Sequence, residues 1–303
     1  GFVVPPGSIS GYVFSDLNSN GSYDAGEGLA NVTVTITGTG GPYTLTSGAD
    51  GSYSQAGLVP GSYSVDVNAA DPDIPTGAIF SIGTDPATVA VTSGANSTAD
   101  FGFTPPGTIN GFVYSDLNNN GSYDAGEGLA NVTVTITGTG GPYTLTTGTD
   151  GSYSQSGLVP GDYDVDVNTA DPDIPTGAIF SIGTDPATVT VPPNSTATAD
   201  FGFTPPGSLS GVVFQDLNGN NAFDAGEGLP NVSVTITGPS GTFNLTTNAT
   251  GGYSQTGLSP GDYEVDVDQT DPDIPSGAAL TVGTDPATVT VPANGSGTTN
   301  FGY

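Results

Sequence analysis

Asp16, Asn18, Asn20, Asp24 and Glu27 stand at positions 1, 3, 5, 9 and 12 of a twelve-residue segment, with Gly21 at position 6. All five side chains offer oxygen and none offers nitrogen or sulfur chemistry suited to a softer metal. The set fits coordination of a hard cation; nothing in it favours zinc or copper. The pattern D-x-N-x-N-G-x5-E has the spacing of a calcium loop. There position 7 contributes a backbone carbonyl, position 9 often acts through water, and the glutamate at 12 is commonly bidentate. Ser22 occupies position 7.

The segment returns 100 residues later as Asp116, Asn118, Asn120, Ser122, Asp124 and Glu127. It returns again as Asp216, Asn218, Asn220, Ala222, Asp224 and Glu227. These eighteen residues are the expected metal ligands, with at least one Ca2+ per repeat. Position 6 must turn sharply, which Gly21 and Gly121 allow. Asn221 replaces glycine in the third loop, and asparagine tolerates positive φ well enough for that site to persist. Tyr23, Tyr123 and Phe223 at position 8 are expected to anchor each loop to the core. The competing reading is a polar surface turn, because Asn, Asp and Gly are ordinary turn formers.

The chain has 303 residues, a formal charge of −30, and no Lys, Arg, His, Cys, Met or Trp. With nothing to pair with phosphate, it excludes nucleic acid and anionic membrane surfaces as partners. The lack of His and Cys removes the usual nucleophilic chemistry. Paired carboxylates could serve glycoside hydrolysis, but the dense acidic groups here are better explained by the loops, so no enzyme is expected. No run of 18 apolar residues occurs, so no transmembrane helix and no membrane insertion are expected. Gly1 is no translational start, which points to a removed leader or a fragment. Several neutral Asn ligands suit the millimolar calcium found outside cells.

The segments that must position the loops alternate with a period of two. Val32, Val34 and Ile36 face one way and Thr33, Thr35 and Thr37 the other, as in a half-buried strand. The pattern predicts strands at 8–14, 31–37, 43–46, 52–55, 62–67, 78–82, 87–91 and 98–103. The expected fold is all-β, with three tandem Ig-like or prealbumin-like β-sandwich domains in a linear rod. Expected boundaries are an N-terminal strand and linker at 1–6, then repeats at 7–104, 107–204 and 207–303. Pro105-Pro106 and Pro205-Pro206 predict extended, semi-rigid links.

The run Gly11-Tyr12-Val13-Phe14-x-Asp16-x-Asn18-x-Asn20-Gly21, with Asp50-Gly51-x-Tyr53 and Leu58-x-Pro60-Gly61-x-Tyr63, resembles the SdrD B-like domain. Such Cna-B-like domains occur in repeat arrays of bacterial surface proteins and adhesins. The resemblance covers all three repeats. It implies a prealbumin-like sandwich, calcium in the first interstrand loop, and a stalk or spacer role. The absence of lysine departs from relatives that carry Lys–Asn isopeptide bonds or a pilus acceptor lysine. No sortase sorting motif is visible. Thr250 replaces the Asp found at 50 and 150.

Asp66, Asn68, Asp71 and Asp73, repeated at 166–173 and 266–273, form a second candidate cation site; the competing reading is a solvated acidic face. The expected function is that of an extracellular, cell-surface structural protein, a calcium-stabilised filament subunit or surface stalk. Its expected partners are other copies of itself, joined head to tail by Gly1-Phe2-Val3-Val4 of one chain and Phe301-Gly302-Tyr303 of the next. The alternative is a ligand-binding adhesin region for a glycan, host or ice surface, with the outward threonines as an array for ice or carbohydrate.

Overall fold

The computed structural model describes residues 4–303. Gly1, Phe2 and Val3 of the expected donor segment lie outside these residues; Val4 is exposed. Among the described residues there is no helix, and so none long and apolar enough to cross a membrane.

The first repeat contains nine strands: β1 (Gly7–Ser15), β2 (Thr33–Thr37), β3 (Tyr43–Thr46), β4 (Ser52–Leu58), β5 (Gly61–Val67), β6 (Ile79–Ile82), β7 (Ala87–Val91), β8 (Asn96–Thr98) and β9 (Phe101–Thr104). One sheet runs β4-β1-β9-β6, with β8 also paired to β1; the other runs β3-β2-β5-β7. The two sheets enclose Ile9, Val13, Phe101 and Phe103 on one side and Val34, Ile36, Tyr63, Val65 and Val67 on the other. The alternation of β2 and β5 is therefore the burial pattern of one sandwich face. The second repeat repeats this topology with strands from Gly107–Ser115 to Phe201–Thr204.

Two expectations need correction, and one pairing is added. The expected strands 43–46 and 52–55 are present but lie in different sheets. β3 pairs β2 and β4 pairs β1, so the Gly-rich turn between them crosses from one sheet to the other. The expected strand 98–103 is two strands, because β1 changes parallel partner along its length. Ser8–Ser10 pair with β8, and Val13–Ser15 pair with β9. At the change, the Asp100 carboxylate accepts the Tyr12 N–H at 2.8 Å in place of a strand partner. Finally, Asn31 takes φ 64° and lies before β2, not in it.

Gly11 is fixed by this crossing. A Cβ there would sit 1.7 Å from the Ala99 carbonyl oxygen, the same oxygen that accepts the Tyr53 hydroxyl. Only glycine lets the two backbones meet so closely.

The third repeat departs at one edge. The segment corresponding to β6 is reduced to a bridge between Val282 and Gly302. Leu280 stands where Phe80 packs edge-on against Phe103, and Tyr303 stands in place of that Phe103. The Tyr303 hydroxyl is buried without a hydrogen-bond partner. Phe301–Gly302 pair with Gly207–Phe214 of their own repeat, as β9 pairs with β1. The final tripeptide is therefore already part of a sheet.

Between repeats, β9 ends at Thr104 and the next strand begins at Gly107, so only Pro105 and Pro106 intervene. Proline cannot donate to a ladder and fixes its own φ, which ends one sheet and begins the next within two residues.

Candidate metal centre

Each twelve-residue loop springs from the end of β1 and is closed at its base by backbone bonds. Ser15 N–H donates to the Glu27 carbonyl at 2.8 Å, Leu29 N–H to Val13 at 2.8 Å, and Val13 N–H to Gly51 at 2.9 Å. A Cβ on Gly28 would lie 2.2 Å from the Asp50 carbonyl, so the loop exit is pressed against the turn after β3. Asp16 N–H donates to the Phe103 carbonyl at 2.9 Å, which ties the first ligand position to β9.

Within the loop the side chains fold inward. Asp16 accepts the N–H of Asn20 on Oδ1 at 3.0 Å and that of Gly21 on Oδ2 at 3.1 Å. Asn18 and Asn20 both donate their amides to Asp24 Oδ2, at 2.8 and 2.7 Å. Glu27 accepts Leu17 N–H on Oε1 and Asp24 N–H on Oε2, both at 2.9 Å. At position 7 the N–H of Ser22, Ser122 or Ala222 donates to the position-5 asparagine, so side-chain identity there is immaterial. The second loop repeats the pattern through Asp116, Asn118, Asn120, Asp124 and Glu127. The third does so through Asp216, Asn218, Asn220, Asp224 and Glu227. Gly21, Gly121 and Asn221 have φ of 70°, 75° and 59°, so asparagine does adopt the glycine conformation.

The structure thus brings Asn18, Asn20 and Asp24 into direct contact. It does not gather Asp16, Asp24 and Glu27 into one three-carboxylate group. No cluster of three or more His, Cys, Asp or Glu side chains able to hold a metal occurs among the described residues. The interposed groups are the Asn amides and the loop's own N–H donors.

The residues nevertheless fit a hard divalent ion. Asp16 and Glu27 are buried at 1 % and 6 % exposure in a chain that has no cationic side chain. Buried charge needs a partner, and only a cation from solution can supply a positive one. Each carboxylate oxygen that accepts one N–H retains a second lone pair for an ion.

The aromatic at position 8 anchors the loop as expected, but chiefly to the outer side of β1. Tyr23 stacks on Tyr12 with centroids 4.0 Å apart and meets Phe14 edge-on at 5.8 Å. Tyr123 stacks on Phe112 at 4.2 Å. In the third repeat Val212 removes the stacking partner, and Phe223 keeps only the edge contact with Phe214.

The second candidate cluster holds backbone together. Asp71 accepts the N–H of Thr33 at 3.1 Å and of Asp73 at 3.2 Å, and Asn68 caps Ala70 N–H. Asp50, outside the ligand pattern, caps the neighbouring turn through Ser52. Asn248 takes over that role where Thr250 replaces the aspartate. Sequence reading missed these caps, though Asx-turn chemistry is their signal.

The N–H groups of Thr33 and then Asp73 hold the Asp71 carboxyl below the usual carboxylate range. A depressed folded value gives stability that is full above the unfolded value of about 3.9 and is lost as pH falls through the lower folded one. Asp85 acts oppositely. Desolvation, only partly offset by the Val67 N–H, raises its carboxyl, so its share is lost as pH rises. Asp71→Asn is therefore expected to be less stable than the parent at neutral pH and to show a flatter acid limb. Denaturant midpoints at neutral pH and near about pH 3 check this; parallel acid limbs would contradict it.

The model of the SdrD B-like domain matches residues 7–103, 107–200 and 207–300. Serine-aspartate repeat-containing protein D of Staphylococcus aureus (strain Newman) is 33% identical over 293 residues, covering 88% of this chain and 22% of that protein. Serine-aspartate repeat-containing protein F of Staphylococcus epidermidis (strain ATCC 12228) is 32% identical over 331 residues, covering 98% of this chain and 20% of that protein. The chain therefore spans about a fifth of the length of these relatives. Among solved structures, the Bacillus anthracis TIE protein aligns at TM-score 0.46 and 17% identity, covering 99% of this chain and 51% of that one. The major pilin subunit of Bacillus cereus aligns at TM-score 0.41 and 10% identity, covering 98% and 99%.

Proposed function

The chain belongs to the SdrD B-like domain family, and on that premise we propose that it is an extracellular, cell-surface structural element whose sandwiches are stabilised by calcium. It acts as a surface stalk or filament subunit, and its role is mechanical, not catalytic. The observation that carries this is the pairing of inward-turned carboxylates with a loop base tied to the last strand of each repeat, which in the first two repeats leads into the next. Asp16 bonds Phe103, and β9 passes through two prolines into the following sandwich. An ion held at the loop would brace the place where one repeat hands over to the next.

In this reading Asp16, Asn18, Asn20, Asp24 and Glu27 hold the ion in the first repeat, and their counterparts hold it in the others. The ion supplies positive charge to a chain that has none of its own. Glu27 does two tasks, since it also fixes the N–H groups of Leu17 and Asp24. Glu27→Gln is thus expected to weaken calcium binding about ten-fold or more, and Asn20→Ala, which removes one neutral oxygen, by less. Calcium titration of the full chain, with the other two sites removed by replacing Asp116, Glu127, Asp216 and Glu227 with alanine, measures both. Equal affinities would show that position 12 has no special weight.

Copies join head to tail. The contact is heterologous, so it propagates as an open fibre and does not close into a ring. The first two sandwiches hold all nine strands and the third lacks only the counterpart of β6, so an incoming segment adds at a sheet edge and bonds through main chain. Electron microscopy of the purified chain in calcium tests this, with and without residues 1–4. Filaments that need residues 1–4 support the assembly; equal filaments from both chains exclude the terminal segment, and discrete particles from both exclude self-assembly.

A further inference from the structure

Every loop contains one Asn-Gly bond, and in every case the asparagine is at a ligand position. Asn20-Gly21 and Asn120-Gly121 use position 5, whereas Asn218-Gly219 uses position 3. Asn-Gly is the dipeptide least hindered toward cyclisation, because glycine has no side chain to obstruct attack by its own nitrogen. The glycine nitrogen loses its proton and attacks Cγ of the asparagine. The new N–Cγ bond replaces Cγ–Nδ2, and ammonia leaves. Water then opens the resulting imide at either carbonyl, giving aspartate or its isomer with one extra backbone methylene. No oxidant, reductant or enzyme is needed.

The folded loop opposes each requirement. Gly21 N–H is engaged by Asp16 Oδ2 at 3.1 Å, and Gly121 N–H by Asp116 Oδ2 at 3.0 Å. Gly219 N–H is engaged by Asp216 Oδ1 at 2.8 Å. An amide anion beside a carboxylate, in a chain with no cationic side chain, is costly. The asparagine carboxamide is also pinned. Asn20 Oδ1 accepts the N–H of Ser22 at 2.7 Å and its Nδ2 donates to Asp24 at 2.7 Å, so it must break both bonds to rotate freely for attack and release of ammonia. Asn120 is held identically. Asn294-Gly295 differs: it lies on an exposed turn outside the twelve-residue loops, Gly295 N–H donates to the neutral Pro292 carbonyl at 3.2 Å and not to a carboxylate, and no side-chain bond pins the Asn294 carboxamide.

We infer that Asn20, Asn120 and Asn218 are sites of spontaneous amide-to-acid conversion, gated by closure of the loop that contains them. The chemistry proceeds only while a loop is open, so it marks each chain with the time it has spent so. The aspartate product adds a fourth carboxylate to the ligand set and tightens the site, since affinity follows ligand charge. The isomer lengthens the loop and spoils it. The dependence on calcium rests on the reading given above; the gating by loop geometry does not.

The full chain is incubated at mildly alkaline pH in calcium, in EGTA, and in guanidinium. Conversion at each asparagine is then read by mass spectrometry after cleavage with a Glu- or Asp-directed protease. The expected result is conversion of the three loop asparagines at least about ten-fold slower in calcium than in guanidinium, with release in EGTA. Asn294, whose glycine nitrogen meets no carboxylate and whose side chain is not pinned, acts as the reference outside the loops in all arms. Slow conversion in both calcium and EGTA, with release only in guanidinium, upholds the gating and overturns its dependence on calcium. Loop asparagines that keep pace with Asn294 in every arm overturn the inference. Asn20→Gln should abolish conversion in its own loop alone; persistence there would mean that the signal arises elsewhere.

Discussion

Stripping calcium with EGTA is expected to lower the melting midpoint by about 10–20 °C. Each loop holds two aspartates and one glutamate, and Asp16 and Glu27 are buried. Without an ion they repel one another and the remainder of a chain of charge −30. A ligand present at one hundred times its Kd stabilises the native state by about 2.7 kcal/mol. In a domain of this size each kcal/mol moves the midpoint by about 4–8 °C. Sodium chloride at matched ionic strength should not substitute, since screening acts weakly on partly buried charge. A midpoint unmoved by EGTA would mean that the loops' own hydrogen bonds suffice and that they are ordinary turns.

A larger and more local loss is expected from Gly11→Ala. The added Cβ would fall 1.7 Å from the Ala99 carbonyl oxygen, and β1 and the β8–β9 crossing cannot both keep their places. The oxygen is also the acceptor for the buried Tyr53 hydroxyl, so a shift breaks that bond too. The cost is expected to exceed about 3 kcal/mol. Because each repeat has its own core, the first should unfold alone and remove roughly a third of the calorimetric enthalpy. Gly26→Ala is the control. Gly26 has a positive φ of 103°, but no atom lies within 4 Å of an added Cβ, so only the backbone cost of about 1 kcal/mol applies. Equal effects from the two substitutions would refute the steric argument.

The parts legible in the sequence are those governed by local periodicity. Val34 and Ile36 are buried and Thr33 and Thr35 half-buried, as strict alternation requires. The same holds for Tyr63, Val65 and Val67 on β5. The turn at position 6 was readable because so few residues accept positive φ. Pairing between distant segments was not readable. Nothing local in Ser52–Leu58 says that it joins β1 and not the adjacent β3. Nor does anything local in Asp71 say that it meets Thr33, 38 residues away. The candidate site was legible as a list of donors but not as a geometry. The inward bonds of Asn18 and Asn20 to Asp24, which leave the carboxylates apart, depend on how the loop closes against Asp50 and Phe103.

The side-by-side course of β1 and β9 has a consequence for load. The chain enters each repeat at the start of β1 and leaves at the end of β9, and these two strands are parallel neighbours. Tension applied through the linkers pulls one strand back and the other forward. Their shared hydrogen bonds, from Val13 with Phe101 to Ser15 with Phe103, then lie across the line of shear and must fail together instead of opening one at a time. The Asp16 N–H bond to Phe103 sits in the same row, at the end that receives the pull from the next repeat. A repeat built this way resists stretching far better than its equilibrium stability alone would suggest, because forced rupture is governed by the unfolding barrier.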